Sequence, residues 1–184
     1  RPSVVEMTVI VALNAVDGTT LWSFNNGGGA AAIGPVNGGI ISYASLHRLW
    51  FASRKKVGAS ANTVWCLDYT DTGATLRWGA EAGDVDGFPF RRGTTVYAGN
   101  DLGEVRAYDA DVTTNPNPAL WTFATSDGAV KSLILPDFAT TKLYFSTMNR
   151  VWALDDTDGT QAGLANPWST PARGAGSIAT PSRP

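Results

Sequence analysis

The stretch that decides the fold is NRVWALDDTDG, residues 149–159. An apolar strand pattern runs into a cluster of acids and stops on glycine. By itself it reads either as a small acidic metal loop or as a strand entering a turn. Three other stretches settle the choice: VIVALNAVDG from Val9, TVWCLDYTDTG from Thr63 and EVRAYDADVTT from Glu104. Stacked, they share an apolar strand, a small residue (Ala12, Cys66, Ala107, Ala153), then Leu or Tyr, then Asn14, Asp68, Asp109 or Asp155. The small residue recurs at intervals of about 54, 41 and 46 residues. Recurrence at spacings of this size marks a repeat architecture.

Each copy is followed by a turn and a second column: TTLWSF, ATLRWGA, ALWTFA and NPWST, with Trp22, Trp78, Trp121 and Trp168. Between copies lie segments that read as strand, turn, strand: GIISYA with LHRLWFASR, GFPFRRGTTVYAGN, and SLILPDFATTKLYFST. The segment GSIATPSRP resembles the start of one more. Each repeat is therefore about four short strands, with Gly, Asp, Asn, Thr and Pro in the turns. No segment sustains a 3.6-residue period, so almost no helix is expected.

The strands are apolar on both sides. A lone antiparallel sheet with one wet face alternates polar and apolar residues. Short strands dry on both faces imply sheets stacked on sheets, and a four-stranded sheet repeated along the chain is the β-propeller solution. A β-sandwich predicts no tryptophan register. The expected fold is all-β, a propeller of four-stranded antiparallel blades in about four repeats: residues 1–34, 35–83, 84–127 and 128–175, with a further blade starting at 176–184. Two architectures fit, a closed four-bladed ring and an open arc of a seven- or eight-bladed propeller. The arc is favoured, and it needs the remainder of a larger propeller or a protein partner against its end blades.

The register A-L-D-x-x-(T/D)-G-x-x-x-W resembles the repeat of the pyrroloquinoline-quinone-like propellers. It is carried by Ala12-Leu13-Asn14 with Asp17-Gly18 and Trp22, and by Cys66-Leu67-Asp68 with Thr72-Gly73 and Trp78. Ala107-Tyr108-Asp109 with Trp121, and Ala153-Leu154-Asp155 with Asp158-Gly159 and Trp168, continue it. The resemblance implies that these four tryptophans dock between neighbouring blades. It also implies one of two lives. Some members are quinone-dependent dehydrogenases, with a calcium, a catalytic aspartate and usually an adjacent cysteine pair. Others are non-enzymes, among them a lipoprotein scaffold of outer-membrane protein assembly. With one cysteine, Cys66, the pair is absent here.

The remaining signals are modest. The net charge of −2 gives no basic field for nucleic acid. Arg91-Arg92 and Arg54-Lys55-Lys56 read as solvated loop charges. No apolar run reaches the roughly 18 residues of a membrane span. Asp84 and Asp86 in DVDGF, and Asp155 and Asp158 in DDTDG, are the candidate calcium ligands, but neither loop supplies the dozen-residue ligand set of an EF-type site, and D-x-x-D-G suits a turn. His47, the single histidine, reads as a turn residue, and no nucleophile elbow accompanies it. Arg106 breaks a column otherwise filled by Val11, Trp65 and Trp152. It is expected at an exposed sheet position or on the central channel, where its guanidinium could meet acids from other blades, and it is the candidate for a functional contact. Trp50 is the candidate loop aromatic for a polymer or sugar.

The leading expectation is a non-catalytic scaffold of the periplasm, cell surface or exterior, using no cofactor. A fragment of a PQQ-dependent dehydrogenase with calcium, and a surface adhesin or filament-associated module, are the alternatives.

Overall fold

A computed structural model describes residues 8–156 of the chain. Strands β1 (Ile10–Leu13) and β2 (Thr20–Phe24) form a first antiparallel sheet. The second sheet is β3 (Ile40–Tyr43), β4 (Arg48–Ala52), β5 (Val64–Tyr69) and β6 (Ala74–Ala80), in that order. The third is β7 (Phe90–Arg92), β8 (Thr95–Gly99), β9 (Glu104–Asp109) and β10 (Ala119–Ala124). The fourth holds β11 (Leu135–Pro136), β12 (Lys142–Ser146) and β13 (Val151–Asp155). Every neighbouring pair is a sequential antiparallel hairpin, so each sheet is a simple meander. The only helical pieces among the described residues are two three-residue 3-10 turns, Gly29–Ala31 and Ala44–Leu46.

The strands do alternate, but between two dry faces rather than between dry and wet. In β4, Leu49 and Phe51 pack with the first sheet, while Trp50 and Ala52 pack with the third. In β5, Trp65 and Leu67 turn back to the first sheet and Val64 and Cys66 turn forward to the third. The third sheet repeats the rule: Val96, Ala98 and Tyr108 look back, and Tyr97, Val105 and Ala107 look forward to Leu143, Phe145, Trp152 and Leu154 of the fourth. Three apolar layers therefore separate four blades. Period-two alternation places successive side chains on opposite faces. When both faces are covered, the sequence reads as a continuous apolar run.

One irregularity recurs. Ala12 pairs with Trp22 but Leu13 pairs with Thr20, leaving Leu21 unopposed. Cys66 pairs with Trp78 but Leu67 pairs with Leu76, leaving Arg77 out. Ala107 pairs with Trp121 and Tyr108 with Ala119, leaving Leu120 out. A bulge of one residue thus precedes each of these tryptophans, and a bulge bends its strand and re-aims the next side chain.

Successive blades approach closely just before their first strands. A side chain at Gly38 would run into the carbonyl oxygen of Gly87, one blade on. A side chain at Gly87 would lie 3.0 Å from the carbonyl oxygen of Ser132, a further blade on. Backbone bonds close the same seam: the Val85 N–H donates to the Ser53 carbonyl at 3.3 Å and the Val130 N–H to the Asn100 carbonyl at 2.8 Å. The first strands are the inner edge of the stack.

Candidate functional site

The register tryptophans lie in the layers between blades. Trp22 Nε1 donates to the Thr70 carbonyl at 2.9 Å, and Trp78 Nε1 to the Ala110 carbonyl at 3.3 Å. Thr70 and Ala110 each follow the third strand of the next blade, so both bonds join equivalent points. Trp78 is fully buried and Trp22 partly so. Trp121 packs against the layer between the third and fourth blades, its ring 5.9 Å from that of Tyr97. Trp168 and Asp158 lie outside the described residues.

Arg106 is neither a free surface group nor aimed away from the layers. It looks back to the second blade, where its Nη1 donates to the Glu81 carbonyl at 2.8 Å. In the equivalent places, Trp65 Nε1 donates to the Ser53 hydroxyl at 3.0 Å and Trp152 Nε1 to the Thr147 hydroxyl at 3.4 Å. The third blade replaces the whole arrangement. Asn100 stands where Ser53 and Thr147 stand, and Glu104 accepts from Asn100 Nδ2 at 2.7 Å and from Arg106 Nη2 at 2.8 Å. Burial acts to raise the Glu104 carboxyl, and these two donors outweigh it, holding it below its ordinary value. Arg106 is thus a tryptophan substitute with its own counter-ion.

The acidic candidates among the described residues, Asp84, Asp86 and Asp155, are paired with cations. Asp86 accepts from Asn37 Nδ2 at 3.0 Å and from Lys131 Nζ at 3.1 Å. Arg54 reaches Asp84 at 3.7 Å, Asp86 at 3.5 Å and Asp101 at 3.3 Å. Asn37, Asp86 and Lys131 each follow a valine (Val36, Val85, Val130), so one repeat position meets itself across three consecutive blades. Burial opposes ionisation of Asp86, and its donors and cations prevail, lowering its pKa. A calcium takes six to eight oxygen ligands, and the carboxylate oxygens described here are engaged by Arg54, Lys131 and Asn37. Asp155 pairs with Lys142 at 3.0 Å directly across the hairpin, as Asp68 pairs with Arg48 at 3.0 Å. Asn14 and Asp109 instead accept from the N–H two residues on, at 2.9 and 2.8 Å. The column therefore serves turns and cross-strand pairs.

Trp50 offers no surface for a sugar. It is completely buried in the layer between the second and third blades, with Arg91 over its ring at 5.1 Å and over Tyr43 at 4.6 Å. His47 takes a left-handed turn conformation, φ 50°, and stacks on Tyr69 at 5.9 Å. Cys66 is buried, and burial pushes its thiol far up. Among the described residues no helix is long and apolar enough to cross a membrane.

What the inner edge does expose is a cleft. Its volume is about 340 Å³, and it runs over three blades from Ile41 and Tyr43 through Phe88 and Phe90 to Leu133 and Phe138. Phe138 is 76% exposed and Phe88 50%. Arg91 and Arg92 form part of its wall. Arg92 is anchored to Asp156 at 3.3 Å and to the Thr140 carbonyl at 2.8 Å. Arg91, lying over Tyr43 and Trp50, reaches Asp111 at 3.9 Å, and its Nε is buried without a hydrogen-bond partner among the described residues. The sequence signal for this cleft was the pair of aromatics in GFPF and the lone one in LPDF, which a reading for metal and nucleophile motifs passes over.

These features define the chain as an all-β propeller of four-stranded antiparallel blades. Among solved structures it resembles BamB from Moraxella catarrhalis, with a TM-score of 0.56 and 18% identity over 80% of this chain and 40% of that one. It also resembles a chain of a mitotic checkpoint complex, with a TM-score of 0.57 and 16% identity over 86% of this chain and 44% of that one. The chain spans less than half the length of either. At such identities the likeness bears on fold alone. No family model and no curated protein matches the chain.

Proposed function

We propose that this propeller is a non-catalytic protein-interaction scaffold that binds a protein partner along its inner edge. The observation that carries this reading is the cleft of Tyr43, Phe88, Leu133 and Phe138. Each blade could have turned polar groups to this edge; three in succession turn apolar ones. Contiguous exposed apolar surface on a soluble chain marks an interaction site. Buried aromatics with an arginine nearby are the groups that dominate binding energy when a partner covers them. The resemblance of the repeat register to the pyrroloquinoline-quinone-like propellers supports a scaffold of the cell envelope or exterior, and the reading requires neither calcium nor quinone.

The test is selection of a displayed random-peptide library against the immobilised chain. Enriched peptides should bind the wild type and lose at least tenfold in affinity to Phe138→Asp. A selection that yields only peptides indifferent to Phe138→Asp and Phe88→Asp overturns the reading. So does robust quinone-dependent dye reduction in the presence of calcium.

A further inference from the structure

Two adjacent arginines, Arg91 and Arg92, end the first strand of the third blade and line the inner cleft. Period-two alternation sends neighbours on a strand to opposite faces. Arg92 faces the fourth blade, where Asp156 and the Thr140 carbonyl hold it. Arg91 is paired across the hairpin with Val96, a residue of the layer shared with the second blade, and turns to that blade. Its guanidinium lies over Tyr43 and Trp50, and its side chain is only 9% exposed.

That end of the layer already holds two other arginines. Arg48 bonds Asp68 at 3.0 Å and Asp111 at 2.6 Å. Arg77 bonds Asp68 at 3.1 Å and donates to the Asp111 carbonyl at 2.5 Å. Three guanidiniums thus share two carboxylates, and the short contacts go to Arg48 and Arg77. Arg91 is left with Asp111 at 3.9 Å, too long for a hydrogen bond. Asp109, the next acid along the strand, accepts from the Asp111 N–H at 2.8 Å. Donors outnumber acceptors here: Arg77 Nε, Arg91 Nε and Trp50 Nε1 are all buried without a hydrogen-bond partner among the described residues. A buried cation without an acceptor is destabilising, so the arrangement calls for an anion. Tyr43 and Arg91 both line the cleft, which puts the underused cation at the second-blade end of an apolar groove formed further on by Phe88, Leu133 and Phe138.

We propose that the cleft takes a peptide segment in which an Asp or Glu stands beside apolar residues. The carboxylate pairs with Arg91 at the Tyr43 end, and the apolar side chains cover Phe88, Leu133 and Phe138. This rests on the reading of the cleft as a protein-binding edge and names the chemistry of its partner. A wholly apolar occupant would shut Arg91 off from water and leave it unpaired, which is costly. A guanidinium fork matches a carboxylate, and charge-assisted bonds of this kind are among the strong ones. The balance of three guanidiniums against two carboxylates leaves a single positive charge. One carboxylate neutralises it, whereas a phosphoserine would bring about −1.5 to −2.

The test is selection of a displayed random-peptide library against the immobilised full chain, followed by synthesis of the enriched sequences. Peptides whose binding depends on Phe138 should carry Asp or Glu next to an aromatic or aliphatic residue. Replacing that acid by its amide should weaken binding to the wild type about tenfold or more, through the loss of one charge-assisted pair. Arg91→Gln should weaken the acid-bearing peptide by a similar factor and bind the acid and amide forms alike. Arg91→Lys should keep part of the preference. Near-ultraviolet circular dichroism checks that the variants are folded, and the acid-to-amide comparison on the wild type needs no variant. Phe138-dependent peptides that lack an acid, or that are indifferent to the amide exchange and to Arg91→Gln, overturn this inference and leave the reading of the cleft in place. A selection without Phe138-dependent peptides overturns both. A phosphoserine form that binds tighter than the acid form overturns the choice of a carboxylate. A dimer in sedimentation equilibrium that Phe138→Asp dissolves puts a second copy in the cleft and overturns it too.

Discussion

Trp78 and Ala110 are joined by a hydrogen bond of 3.3 Å that leaves the second blade and ends in the third. Trp22 makes the same bond one blade earlier, to Thr70 at 2.9 Å. Each register tryptophan whose indole partner is defined thus fastens its own blade to the next, from a position aimed by the bulge before it.

Removing the indole should loosen the stack in proportion to its burial. Trp78→Ala is expected to cost about 3–5 kcal/mol, the range for emptying a large aromatic site. Trp78→Phe should cost about 2 kcal/mol, since it loses one hydrogen bond and part of the volume. Trp22→Phe, at a partly exposed site, should cost less. Urea titrations check this as a lowered midpoint at unchanged slope.

The third blade's arginine can be exchanged for its repeat equivalent only as a set. Arg106→Trp alone should destabilise by about 2 kcal/mol, because Glu104 and Asn100 are left partly buried without their cation. Adding Asn100→Ser and Glu104→Thr, the residues found in the second blade as Ser53 and Thr63, should recover most of that loss. Thermal and urea unfolding of the single and triple variants measure the coupling.

Gly38→Ala should cost about 1–3 kcal/mol, because the new methyl meets the carbonyl oxygen of Gly87 and backbone yields poorly to overpacking. Gly73→Ala, with open space around its site, is the matched control and should cost less. Unfolding curves of the two variants decide it.

Asp86 ties stability to pH. Its folded pKa lies below the ordinary 3.8, so its contribution is complete above that value and is lost as the pH falls through the lower, folded value. Asp86→Asn should lower stability by about 1 kcal/mol near neutral pH, since the pairs are solvent-accessible. The gap between variant and wild type should shrink under strongly acidic conditions. Urea unfolding at about pH 6 and about pH 3 reads both quantities.

Cys66 should report opening of the layer between the second and third blades. The thiol is buried and its ionisation is suppressed, and the thiolate is the reactive form. Iodoacetamide should label the native chain slowly and the urea-unfolded chain fast. Trp50→Ala should raise the native rate, because Trp50 and Cys66 share that layer and are cross-strand partners.

The strands that carry the repeat were legible in the sequence because Ala12, Cys66, Ala107 and Ala153 align without gaps, and a shared register implies shared pairing. The dry faces were legible too, though as an apparent failure to alternate. Trp50 was not: beside His47 and its turn it reads as a loop aromatic, and one step of strand register sends it to the interior. The acids of DVDGF looked like ligands because their partners, Arg54 and Lys131, lie in other repeats. Arg106 stood out as an exception, but Glu81, whose carbonyl receives it, belongs to the preceding blade. Columns within a repeat can be aligned by eye; contacts between repeats are fixed by stacking. The cleft of Phe88 and Phe138 falls in the second category.

The forward reach of Trp22 and Trp78 gives the stack a direction in time. A blade emerging from the ribosome holds an indole whose acceptor, one blade further on, has not yet been made. Domains fold as they are synthesised, from the N-terminal end. The first and second blades are therefore each completed by their successor, and during synthesis each waits for the blade after it.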